Sequence, residues 1–151
     1  MAALPFLLTG CGISLMLAAD QGDSEKILAL LQHGADINAR LPFSGTRAII
    51  IAAGNGHLET VRVLAENGAD IDAADFTGWT ALHAAATKGH TSIVQFLLAR
   101  HARLSEAGWA LRSPLHWAET AGHKEIVELI KQANPPLVPP VKNISLPTMV
   151  P

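Results

Sequence analysis

The 151-residue chain has one cysteine, Cys11, no tyrosine, four phenylalanines and three tryptophans. A lone cysteine excludes a disulfide framework and a cysteine-built zinc site. Charge is also sparse. Asp, Glu, Lys and Arg make up 16% of the residues, and the formal net charge is −2. That balance does not fit a basic nucleic-acid-binding surface. Several catalytic signatures are missing as well. There is no Gly-x-Gly-x-x-Gly or Walker phosphate loop, no Gly-x-Ser-x-Gly elbow and no His-Glu-x-x-His. We therefore expect no enzyme activity, no cofactor and no small-molecule substrate. Hydrophobic residues, by contrast, make up 49% of the chain, too many for a chain kept disordered by its charge.

The few charges are unevenly placed. Residues 20–75 hold nine acids and four bases, whereas residues 76–142 hold four acids and seven bases. Such a polarity can orient a partner, although salt screens it over about 8 Å.

The chain repeats itself. Residues 75–90, Asp-Phe-Thr-Gly-Trp-Thr-Ala-Leu-His-Ala-Ala-Ala-Thr-Lys-Gly-His, precede by 33 positions a segment that contains Ser113-Pro-Leu-His-Trp-Ala-Glu-Thr-Ala-Gly-His123. Leu82 then matches Leu115, His83 matches His116, and Gly89 matches Gly122. Gly56-His57 lies one period earlier, and Gly22 lies 34 residues before Gly56. Gly34-Ala-Asp-Ile-Asn38 and Gly68-Ala-Asp-Ile-Asp72 are a second repeated string. Four units result, at about 13–40, 41–74, 75–107 and 108–134. An apolar segment, 1–12, precedes them and a Pro-rich extended tail, 135–151, follows.

Within each unit an Ala-rich apolar stretch ends at Gly, and a second stretch has helical apolar spacing, as at Ile93, Val94, Leu97 and Leu98. Ser113-Pro114 is a helix start, with a capping hydroxyl and a proline in the first turn. Gly22, Gly56, Gly89 and Gly122 suit a left-handed residue at a helix end. Short helix pairs of this kind cannot bury their own apolar faces and must stack.

Gly78-Trp-Thr-Ala-Leu-His83, Ser113-Pro-Leu-His116, the Gly-His pairs and the Gly-Ala-Asp-Ile strings resemble the ankyrin repeat. The resemblance covers about four fifths of the chain. It implies an all-α solenoid of helix–turn–helix units joined by β-turn hairpins, which binds a protein partner through hairpin tips and a concave helix face. It also implies that the repeated histidines bond turn and helix-end groups. Their spacing places them in rows rather than around one ion, so we expect no metal site.

Three departures from the pattern stand out. The second unit has Arg47-Ala48-Ile49-Ile50 in place of Thr-Pro-Leu-His, so its hydrogen bonding must differ. The first unit has Met16 at the histidine position. The third has His101 where Gly34 and Gly68 stand, at a position that favours a left-handed backbone. The last unit looks like a polar cap, with Lys124, Glu125, Glu128, Lys131 and Gln132 on its outer face.

Phe43, Phe76 and Trp109 recur at 33-residue steps, with Trp79 just past the Gly78 turn and Thr46 and Arg112 in the same register; the ankyrin resemblance implies that the recurring aromatics lie at the hairpin tips. Exposed aromatics and arginine are the usual anchors of interfaces, so a ladder facing a partner is one expectation. Rings folded over the adjacent hairpin are the other. The resemblance also implies variable surface positions late in the first helices, here Asn55, Thr87, Lys88 and Thr120. The partner-binding residues we expect are thus Phe43, Thr46, Asn55, Phe76, Trp79, Lys88, Trp109 and Arg112. Trp117 reads as core or groove floor.

The ends allow two localisations. Leu8-Thr9-Gly10-Cys11 resembles a bacterial lipoprotein cleavage box, and lipidation of Cys11 would make the protein exported and membrane-anchored. The apolar run is short, interrupted by Pro5 and preceded by no Lys or Arg, which favours an apolar lid on the first unit of a cytoplasmic monomer. A transmembrane span is not expected. Asn143-Ile-Ser145 fits a glycosylation sequon but has no secretory context. The Pro-rich tail and uncharged start also suit a regulatory segment of a larger multidomain protein.

Overall fold

The computed structural model describes residues 5–104 and 112–133, with side chains from residue 12 onward. Trp109, the Cys11 thiol and the Pro-rich tail lie outside the described residues. Eight helices follow in order: α1 (Pro5–Gln21), α2 (Ser24–Gln32), α3 (Ala48–Gly54), α4 (Leu58–Glu66), α5 (Ala81–Lys88), α6 (Thr91–Ala99), α7 (Pro114–Ala121) and α8 (Lys124–Ala133). Among the described residues there is no strand. Odd-numbered helices pack side by side in one row, even-numbered helices form a second row behind them, and each consecutive pair is one unit.

Local chemistry sets the helix boundaries. Ser113 Oγ accepts the His116 N–H, and Pro114 opens α7. At α5 the capping is reciprocal. Thr80 Oγ1 accepts the His83 N–H, and the Thr80 N–H donates to His83 Nδ1. Histidine thus fills the place that Glu or Gln usually takes three residues into a helix. α8 buries Ile126 and Ile130 and leaves Lys124, Glu125, Glu128 and Lys131 exposed.

The first helix departs from expectation. It begins at Pro5 rather than near residue 13, so residues 5–12 continue into the first unit as one helix. From Phe6 to Ala19 there is neither a charge nor a proline to interrupt it, and Pro5 fits a first turn. Leu8–Cys11 therefore lies within helical backbone.

One glycine–histidine device joins consecutive units. Gly89 ends α5 with φ +80°, a conformation that favours glycine. A Cβ there would also sit 2.7 Å from the ring of His123 in the next unit. The same ring donates from Nε2 to the Thr87 carbonyl at 3.1 Å, satisfying an orphan at the end of α5. His57 does this to Asp20 across Gly22, and His90 to Gly54 across Gly56. At the other end of the units Asn38 accepts the Asp70 N–H, and Asp72 accepts the Arg103 N–H. Leu15, Ile27, Leu64, Leu82, Ile93, Leu97 and Ile126 fill one continuous core between the rows.

The second unit solves its missing histidine differently. In the third unit His83 Nε2 donates to the Arg112 carbonyl of the next hairpin at 3.2 Å. Ile50 has no such donor. Arg47 Nη1 instead reaches the Ala74 carbonyl at 2.7 Å, while α3 starts without a side-chain cap.

Candidate protein-binding groove

The first described hairpin is closed by backbone bonds from Leu41 N–H to Thr46 O (2.9 Å) and Gly45 N–H to Leu41 O (2.8 Å), the second by Asp75 N–H to Trp79 O (2.9 Å) and Gly78 N–H to Asp75 O (3.0 Å). A further bond, from the Phe76 N–H to Ser44 O at 2.9 Å, ties one hairpin to the next. The Asp75 carboxylate accepts from Thr77 N, Thr77 Oγ1 and Trp79 N, which fixes the turn and the backbone at Trp79.

That turn sends the two aromatics of the hairpin in different directions. The Phe76 ring lies over Gly45 of the preceding hairpin, within 2.6 Å of where a Cβ would stand, and Arg40 caps the ring at 5.9 Å. Trp79 points instead to the first-helix row. Its ring packs against His83 and edge-on against Trp117, each at 5.3 Å. Below it, between α3 and α5, is a slot of about 290 Å³. Ile50, Ile51 and Gly54 form one wall, Ala84 and Thr87 the other, and Asn55 and Lys88 stand at the rim. The slot is mainly apolar with a few polar groups, the usual make-up of a recognition pocket.

The expected site residues therefore separate. Phe43 is 97% exposed at the first described hairpin tip, where no described hairpin precedes it to receive the ring. The Phe76 ring takes the second of the two expected arrangements, folded over the neighbouring hairpin at Gly45, and is still 61% exposed. Trp79, just past the Gly78 turn, faces the first-helix row beside Trp117. Thr46 is half-buried and bonds Ser44 Oγ of its own hairpin at 2.7 Å. Asn55 is exposed and donates to Asp20 Oδ1 at 2.8 Å. Lys88 is exposed at the slot. Arg112 is exposed and its guanidinium meets His116 Nε2, which in turn lies against Trp117. Trp117 is half-buried beside Trp79, a groove wall. The apolar slot residues Ile50, Ile51 and Ala84 were not among the expected contacts. The signal for them was the second unit's departure from Thr-Pro-Leu-His, which places Ile50-Ile51 where the third unit has His83-Ala84.

His83, under Trp79, is 2% exposed, and burial lowers its pKa from the usual 6.5, outweighing the Arg112 carbonyl and the Asp75 charge. Its bonds specify the same neutral state. Nδ1 accepts from the Thr80 N–H, so Nε2 carries the proton donated to Arg112. A neutral, doubly tethered imidazole here holds two units together. Among the described residues no three His, Cys, Asp or Glu side chains gather as a metal site. No described helix is long and apolar enough to cross a membrane.

Helix pairs stacked in register, linked through hairpins and presenting a groove along one row, define a helical-repeat protein. Residues 15–108 match the family described as "Ankyrin repeats (3 copies)", and residues 111–138 match "Ankyrin repeat". The chain belongs to the ankyrin-repeat family, whose members generally mediate protein–protein interaction and generally do not catalyse reactions. A comparison with curated proteins found no match.

Proposed function

We propose that this chain is a non-catalytic scaffold that binds a protein partner along the first-helix row, with the α3–α5 slot and the Trp79–Trp117 pair at the centre and Phe43 as a separate contact at the hairpin edge. The observation that carries the reading is the turn of Trp79 away from the hairpin tip and onto an apolar slot that no described side chain fills. Because the hairpins and helices are tied by backbone bonds, little ordering entropy is lost when a partner docks. Asn55, Lys88 and Arg112 at the margins set register.

The test fills the slot. A Cβ at Gly54 would stand 3.5 Å from the Ala84 Cβ, an ordinary contact, so Gly54→Leu keeps α3 and places its remaining atoms in the slot. Peptides are selected from a random display library on the full chain and their affinities measured. Gly54→Leu should weaken them about tenfold or more at unchanged helical circular dichroism, since a blocked central pocket removes the anchor. Phe43→Ser should change the same affinities about threefold or less, as a rim contact does. Selected peptides that bind Gly54→Leu as well as the parent protein would overturn the groove reading.

A further inference from the structure

We infer that the groove selects an acidic partner segment, one that seats an apolar side chain in the slot and places Asp or Glu toward α5 and α7. This rests on the groove reading above and adds the chemistry of the partner.

The argument is one of charge complementarity. Four carboxylate–base pairs occur among the described residues: Arg62–Glu59, Arg100–Glu66, Arg103–Asp72 and Lys131–Glu119. In each, the base lies on a second-row helix or the turn after it. The two bases on the groove side of units three and four, Lys88 and Arg112, are exposed, and neither has a carboxylate partner among the described residues. Of the nearby acids, Glu119 pairs with Lys131, Asp75 Oδ1 accepts three bonds from its own turn, and Asp20, on the α1 side of the slot, accepts from Asn55. His116, also on this side, accepts from the Arg112 guanidinium, and the His116 ring itself lies edge-on to Trp117. On the α5–α7 side, Lys88 thus stands at the rim of the apolar slot and Arg112 lies beyond the Trp79–Trp117 pair, both without a carboxylate partner among the described residues.

Both cations are solvated, so they steer and select more than they bind. Their effect should show as sequence preference and salt dependence. A basic segment would meet like charge there, and a purely apolar one would leave both cations without a counterion.

The experiment uses the full chain and the random display library. Selected peptides should carry an apolar residue with Asp or Glu within a few positions on one consistent side. Lys88→Glu with Arg112→Glu should weaken a selected acidic peptide roughly tenfold and shift new selections toward Lys and Arg. Lys88→Arg should retain binding. Raising NaCl from about 50 to about 500 mM should weaken the parent complex a few-fold and leave the double variant's complex with the same peptide unweakened. Selections enriched in basic or uncharged segments would overturn the inference, as would an acidic preference that survives the double charge reversal. Gly54→Leu keeps the two readings apart. If it abolishes binding of peptides that show no acidic preference, the groove stands and only the partner chemistry fails. If it leaves binding intact, the groove itself fails.

Discussion

Two neighbours constrain His83 from opposite ends of its ring. The Thr80 N–H needs an acceptor at Nδ1, and the Arg112 carbonyl needs a donor at Nε2, so only the neutral imidazole satisfies both. Burial pushes its pKa down in the same direction. The unfolded chain takes up a proton near pH 6.5, whereas the folded chain does so only at lower pH. Between those two values the unfolded state binds more protons, so stability falls as pH drops through the mid-sixes and is fully present above them. Denaturant unfolding followed from about pH 7.5 to about pH 5.5 should show this loss, and His83→Gln should flatten it. At the upper pH the variant should be about 1–2 kcal/mol less stable, the usual result of removing a bonded buried group. The residue type and the Thr-x-x-His spacing were legible in the chain. The depressed pKa was not, because it depends on the burial contributed by Trp79 and the fourth unit.

At the level of the turn and helix, equivalent positions with different residues reveal what each must do. Gly34, Gly68 and His101 follow α2, α4 and α6 with φ +84°, +94° and +60°. Nothing lies within 4 Å of a Cβ at Gly34 or Gly68, so the turn has room for a side chain and only the backbone objects. His101→Gly should therefore raise stability by about 0.5–1 kcal/mol, the left-handed strain relieved less the added entropy of glycine in the unfolded chain. A lower melting temperature in that variant would show that the His101 side chain contributes more than its backbone costs. Position and handedness were foreseeable from the 33-residue alignment. The length of α1 was not, because a charge-free apolar run is compatible with either an extended lid or a continued helix. Packing of α1 on both α2 and α3 gives the helix its support.

Across the whole molecule, stacking can be isolated from backbone strain. Gly89 and Gly122 end successive first-row helices with φ +80° and +78°. His123 sits on Gly89, whereas nothing lies within 4 Å of a Cβ at Gly122. Alanine imposes the same left-handed cost at both, about 1 kcal/mol. Gly89→Ala must in addition displace a ring bonded to Thr87, so it should cost about 1–3 kcal/mol more than Gly122→Ala. Equal losses by denaturant unfolding would mean that the histidine row contributes little to holding the units together.

The 33-residue recurrence already contained the repeat, the left-handed glycines, the caps at Ser113 and the row of histidines, because each follows from short-range spacing copied from unit to unit. Which way an aromatic turns after Gly78 is not a short-range property. Phe76 goes to the space left by Gly45 one unit back, and Trp79 to the space beside Trp117 one unit ahead. Those spaces exist only once neighbouring units are in contact, so the division between hairpin edge and groove was settled by packing.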